Sequence, residues 1–191
     1  MFPKRPATES ALTLLSTVRE EFRIDEAAAH RRQRIAAVVI GPVGAVEIRR
    51  HAAYFRIVSI AEAYVDVLQM SLLSEELSSP TALMLQILDT IERGATISWP
   101  SRQDAFLKYH QIDLRKCSNW NELLIATRVR NCLAHALGGI TPRYRTKTRF
   151  PIDLASIGVG VGGGRVHLDD VSIEILEAKT RGFISSLDQK T

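Results

Sequence analysis

The sequence predicts a mainly α-helical bundle with one small β-hairpin near its C-terminal end, and two observations predict it. Apolar residues recur at three- and four-residue steps between Gly and Pro punctuation through most of the chain, whereas one late stretch alternates on either side of a triple glycine. A length of 191 residues suits a single domain over 1–191, and no internal repeat or flexible linker interrupts it. Hydrophobic residues at 46% and charged residues at 24% are ordinary globular usage, which excludes a disordered or low-complexity chain.

Each element has a local reason. Residues 8–23 place Leu12, Leu14, Leu15, Val18 and Phe22 near one helical face, and Asp25 reads as the cap of a second helix toward Val39, stopped by Gly41, Pro42 and Gly44. From Ala45 to about Leu77 there is no Gly or Pro, and Tyr54, Ile57, Val58, Ala61, Val65 and Leu68 mark one long amphipathic helix. Ser79-Pro80 reads as an N-cap with Pro at the first helical position, Leu83, Ile87, Leu88 and Ile91 as the buried stripe, and Gly94 as the stop. A shorter helix is expected over 100–111. Asn119 and Glu122 have capping-box spacing and open a helix that ends near Gly138-Gly139. Segments 157–161 and 165–168 flank the glycines as a hairpin, and Asp169 or Asp170 then starts a terminal helix to about Leu187.

Composition narrows the function classes. The 25 Lys+Arg against 21 Asp+Glu give +4, a balance that permits a polyanionic partner without demanding one. Cys117 and Cys132 alone build neither a disulfide framework nor a tetrahedral zinc site, so a reducing cytoplasm is the simplest compartment. The opening residues do not read as a secretory signal. The longest uncharged apolar stretch, 36–46, is broken by Pro42 and falls short of the ~20 residues that span a bilayer, so a soluble protein with no membrane partner is expected.

The helix over 120–137 carries the chemistry. Rotation by about 100° per residue gathers Ile125, Ala126, Val129, Cys132, Leu133, Ala136 and Leu137 on a side to be buried, and Arg128, Asn131 and His135 within a polar wedge of about 60°. Arg130 lies about 140° from His135, within reach of a shared phosphate only through the length of its side chain. His135 can give and take a proton near neutral pH. Arg128 and Arg130 can hold non-bridging oxygens, and Asn131 can orient the imidazole or the scissile group. On RNA the ribose 2′-hydroxyl is an internal nucleophile, which suits a chain without an H-E-x-x-H motif, a Cys/His ligand set or a carboxylate cluster. The competing reading of the same arc is the solvated side of an amphipathic helix.

Arg130-Asn131-Cys132-Leu133-Ala134-His135, with Arg128 before it and Ala136-Leu137-Gly138 after it, resembles the R-x4–6-H signature of the HEPN superfamily in its ribonuclease form. The layout is similar too, with a long early helix and Trp120 near the start of the motif helix. The resemblance implies a HEPN-like helical bundle, a two-fold homodimer that brings two motif helices together, and metal-independent endoribonuclease activity without a cofactor. Such activity belongs to toxin–antitoxin, antiphage-defence or RNA-processing systems, with an antitoxin or defence protein as a further partner. By carry-over, Arg130 and His135 are catalytic and Asn131 is their polar companion. HEPN-like domains also include non-catalytic modules that bind a nucleotide or a protein partner, and that alternative stands beside the enzyme.

Other features bear on the choice. Arg143, Arg145, Lys147 and Arg149 alternate, with Tyr144 and Phe150 nearby, and in an extended segment they would track RNA phosphates while an aromatic ring stacks on a base; a solvated basic loop is the alternative. Arg31, Arg32, Arg34, Arg49 and Arg50 read as surface charges or contacts for a protein partner. Residues 158–163 fit G-x-G-x-x-G formally, but Arg165 to Leu168 continue as a strand, so no helix N-terminus is offered to a dinucleotide. His30, His51, His110 and His167 show no ligand spacing, although His110 and Tyr109 are candidates for the edge of the site. Glu62 is left open as an orienting carboxylate facing the motif helix, and Asp66 reads as a surface residue.

Overall fold

The Gly- and Pro-free run folds as a single 31-residue helix, α2 (Ala45–Glu75), in the computed structural model, which describes residues 3–35, 44–75, 77, 81–136, 138–140 and 150–191. The expected inner face of α2 is fully buried: Tyr54, Ile57, Val58, Ala61, Val65 and Leu68 have no exposed surface. By length and composition Val46–Glu75 is apolar enough to cross a membrane, and here that apolar surface forms the centre of the helical core.

Helix α1 (Pro6–Ile35) packs along α2 with Pro6 at its first position. Arg5 meets Glu75 at one end and Glu21 pairs with Arg56 at the other, so the two helices run antiparallel. The expected break at Asp25 does not occur. Residues 23–29 contain neither Gly nor Pro, and Ala27, Ala28 and Ala29 favour the helix enough to carry it through an aspartate that is only mildly unfavourable inside. The expected stop at Gly41-Pro42 lies outside the described residues.

Two helices follow, α3 (Ala82–Ala95) and α4 (Trp99–His110). Thr81 caps α3 by accepting from the Met84 amide, and Ser79-Pro80 lies outside the described residues. The stripe expected to bury α3 does so only in part. Leu83 and Ile87 are exposed by 66% and 50%, because α3 is an edge helix that touches α4 and α2 along one narrow side. Ser98 caps α4, and Gln111 closes it at φ 58° in the left-handed region.

A 3-10 turn (Leu114–Lys116) leads into α5 (Trp120–Ala136), followed by α6 (Phe150–Ala155), strands β1 (Gly160–Gly162) and β2 (Arg165–His167), and α7 (Asp170–Asp188). The strands pair antiparallel through Gly162↔Arg165. Gly163 and Gly164, at φ 57° and 73°, form the two-residue turn in which both centres need the left-handed region. Asp169 caps α7 with Ser172 in a reciprocal capping box. The capping box expected for α5 is absent. Asn119 takes φ 60°, a conformation asparagine tolerates, and Glu122 instead accepts from Lys179 of α7 at 3.5 Å.

Helix α7 lies against both α1 and α2. Thr8 donates to Asp188 at 2.6 Å, and Tyr64 donates to the Ile184 carbonyl at 3.4 Å. Arg49 and Arg50, read as surface charges, turn inward instead. Both bond the Asp170 carboxylate, at 3.0 and 2.8 Å, and Arg49 also donates to the Phe22 carbonyl and stacks 3.8 Å over the Phe22 ring. A planar guanidinium can satisfy a carboxylate, a carbonyl and a ring face at once, which is why this cation is buried.

Asp66 is also no surface residue. It receives two hydrogen bonds from Arg102 of α4, at 2.7 and 2.8 Å; the Arg102 side chain is only 7% exposed, and its guanidinium carbon lies 5.3 Å from the Trp99 ring centroid. Removing the cation strands a partly buried carboxylate, so Arg102→Ala should lower stability by about 2–4 kcal/mol in urea denaturation, with little change in m-value.

Candidate functional site

Helix α5 sorts its side chains as its periodicity requires. Ile125, Ala126, Val129, Cys132 and Leu133 are buried, and the Tyr54 hydroxyl of α2 donates to the Ala126 carbonyl at 3.4 Å. Ala136 contributes no described side chain, and Leu137 lies outside the described residues. With that face fixed inward, Arg128 and Asn131 are half-buried and His135, on the last turn, is exposed.

Arg130 points toward α2. Its Nη1 donates to Glu62 Oε2 at 2.8 Å, with the two side chains 27% and 18% exposed. Glu62 therefore faces the motif helix. The carboxylate anchors one nitrogen of the guanidinium, and the other N–H groups remain able to take a second anion. No hydrogen bond joins Arg130 to His135 among the described residues. The structure brings Arg130 to Glu62, and it leaves His135 accessible on a different part of the same helix.

The end of α5 is held by the hairpin. Gly138, at φ 86°, donates its amide to the Cys132 carbonyl at 3.1 Å, and its own carbonyl accepts from Val166 at 2.8 Å. Ile140 donates to the Gly164 carbonyl at 2.9 Å, and Gly139 bridges Arg165 in antiparallel register. This pairing carries the Arg165 guanidinium to within 3.8 Å of where a Cβ on Gly138 would stand, three residues beyond His135. Arg165 is a basic group at the end of the motif helix that sequence reading missed, since only a pairing across 26 residues brings it there.

His51 of α2 belongs to the same end of the molecule. It lies 3.7 Å from Glu47, and its pKa is lowered from 6.5, chiefly by burial and further by Arg165, with Glu47 opposing. His167 instead sits on the hairpin, its Nε2 3.1 Å from the Gly162 carbonyl. Tyr109 lines a cavity of about 340 Å³ between α3 and α4. The His30 side chain, and Arg143, Tyr144, Arg145, Lys147 and Arg149, lie outside the described residues, as do the side chains of Arg31, Arg32 and Arg34. Among the described residues, no three His, Cys, Asp or Glu side chains gather as a metal-ligand set.

The His51 shift has a defined sign. The unfolded chain binds the proton more tightly, so this group's contribution to stability falls as pH drops through 6.5 toward the lower folded-state value. An NMR titration should place the His51 midpoint below 6.5, and His51→Gln should flatten the acid side of the stability profile. A midpoint at or above 6.5 would refute the placement.

Comparisons with protein-family models, with curated proteins and with solved structures find no match to this chain.

Proposed function

We propose that the chain is a HEPN-type, metal-independent endoribonuclease, active as a homodimer in the cytoplasm and serving as a toxin or antiphage-defence component. The observation that carries this reading is the presence, on one helix, of an accessible imidazole at His135 and of a guanidinium at Arg130 anchored by Glu62. A preset cation costs little reorganisation when charge builds on phosphorus, and an exposed imidazole can meet a strand of RNA.

In this mechanism the ribose 2′-oxygen attacks the adjacent phosphorus and the bond to the 5′-oxygen breaks, leaving a 2′,3′-cyclic phosphate and a 5′-hydroxyl. A proton leaves the 2′-hydroxyl and another reaches the departing 5′-oxygen. His135 handles one of these transfers, and His135 of a second copy can handle the other. Arg130 steadies the phosphorane oxygens, Asn131 positions, and Arg128 adds binding charge. Arg165, at the end of the same helix, extends the positive surface along the strand.

The Arg130–Glu62 ion pair also favours a second reading, in which Arg130 serves only to latch α5 to α2 and the domain is a non-catalytic module for a protein or nucleotide partner. Purified protein incubated with mixed RNA in EDTA separates the two. The enzyme should leave 2′,3′-cyclic ends, with cleavage reduced about 10²–10⁴-fold in His135→Ala and about 10²–10³-fold in Arg130→Ala while folding is retained. Equal inertness of folded wild type and variants favours the binding module.

A further inference from the structure

We propose that Arg128 forms a subsite for the phosphate next to the one cleaved at His135, so that an RNA strand lies along α5 and is held across two successive linkages. The inference rests on the ribonuclease reading and names what that site requires of its substrate beyond the bond it cuts. Arg128, Asn131 and His135 stand at i, i+3 and i+7 of one helix and share one side of it. Arg128 and Asn131 are half-buried, and neither makes a hydrogen bond or ion pair among the described residues. Other arginines of this fold behave differently: Arg49, Arg50, Arg102, Arg130 and Arg181 each meet a carboxylate of the same chain. A guanidinium carries five donors, and one with a packed stem and no acceptor in the fold is left to meet water or an arriving anion. From Leu123 to Ala136 the helix has no Asp or Glu of its own to compete for it.

Distance decides which phosphate Arg128 takes. It stands about 10 Å from His135 along the helix axis, and both side chains leave the helix leaning toward its N-terminus, so the gap does not close. A single phosphate is too small to touch both groups. The next phosphate of the same strand can meet Arg128 while the scissile one lies at His135. Asn131 stands one turn from each, and its amide can both donate to and accept from the sugar or base between the two linkages.

Charge gives the direction of the strand. Beyond His135 the Arg165 guanidinium lies 3.8 Å from where a Cβ on Gly138 would stand, so positive groups bracket the imidazole along the helix. Toward α2, by contrast, Arg130 is followed by the Glu62 carboxylate. A polyanion laid along α5 meets cations on both sides of the imidazole, and one laid across the helix runs onto a carboxylate.

The test removes one charge from each side of the contact. In an oligonucleotide with a single ribonucleotide among 2′-O-methyl residues only one bond can break, and a methylphosphonate can neutralise the linkage on its 5′ or its 3′ side. On the all-phosphate strand Arg128→Gln should raise KM about tenfold and change kcat far less. One of the two neutral neighbours should cost the wild-type chain a similar factor and cost Arg128→Gln nothing further. Arg128→Lys should recover part of the loss, and both variants should keep the wild-type far-UV spectrum. A fully 2′-O-methylated strand cannot be cut and reads binding alone. On it Arg128→Gln should weaken binding by fluorescence anisotropy about tenfold and lower the slope of log K against log salt by about 0.7, the share of one single-strand phosphate. Neutral neighbours that cost the wild type nothing, losses that multiply in Arg128→Gln, or a fall in kcat with KM unmoved would overturn the subsite. Cleavage without that coincidence sinks the subsite alone, binding through Arg128 without cleavage sinks the ribonuclease alone, and no binding sinks both.

Discussion

Two carboxylates one turn apart on α2, Glu62 and Asp66, set the relation of the outer helices to the central one. Each meets a guanidinium from a different helix, Arg130 of α5 and Arg102 of α4. Apolar packing alone would tolerate small rotations of α4 and α5 about their axes. A charge at the edge of a buried face does not, because turning it inward leaves it without water and turning it outward breaks the pair. The more exposed Arg130–Glu62 pair adds at most about 1 kcal/mol. Its weight lies in orientation.

That orientation governs the chemistry α5 can offer. With Val129 and Cys132 inward and Arg130 drawn toward α2, His135 has no course but outward. The hairpin then keeps the last turn from fraying by taking the backbone groups of Gly138, Gly139 and Ile140 into its own hydrogen bonds. A helix terminus otherwise left to solvent becomes a fixed edge, with Arg165 attached to it.

Much of this was legible in the sequence wherever the signal was local. The absence of Gly and Pro from Ala45 to about Leu77 told of one long helix, the triple glycine told the hairpin, and Asp169 or Asp170 told the start of α7. Distant partners were not legible. Nothing near Asp66, Arg49 or Arg50 reveals that Arg102 and Asp170 wait across the fold, and nothing near Gly139 reveals Arg165. A helix stripe such as Leu83 and Ile87 states that a face is apolar without stating what covers it. For the site, the arcs of α5 followed from periodicity, whereas the turn of Arg130 toward Glu62 depended on how α2 and α5 cross.

The thiol of Cys132 adds an experimental handle on this geometry. It is wholly buried on the inner face of α5, between Arg130 and His135 in sequence. A bulky alkylating reagent can reach it only when α5 lifts from α2. Its labelling rate, compared with that of Cys117 beside α7, would separate local detachment of one helix from loss of the whole bundle. The chain thus carries, one residue from the candidate polar companion, its own clock for how often this helix lets go.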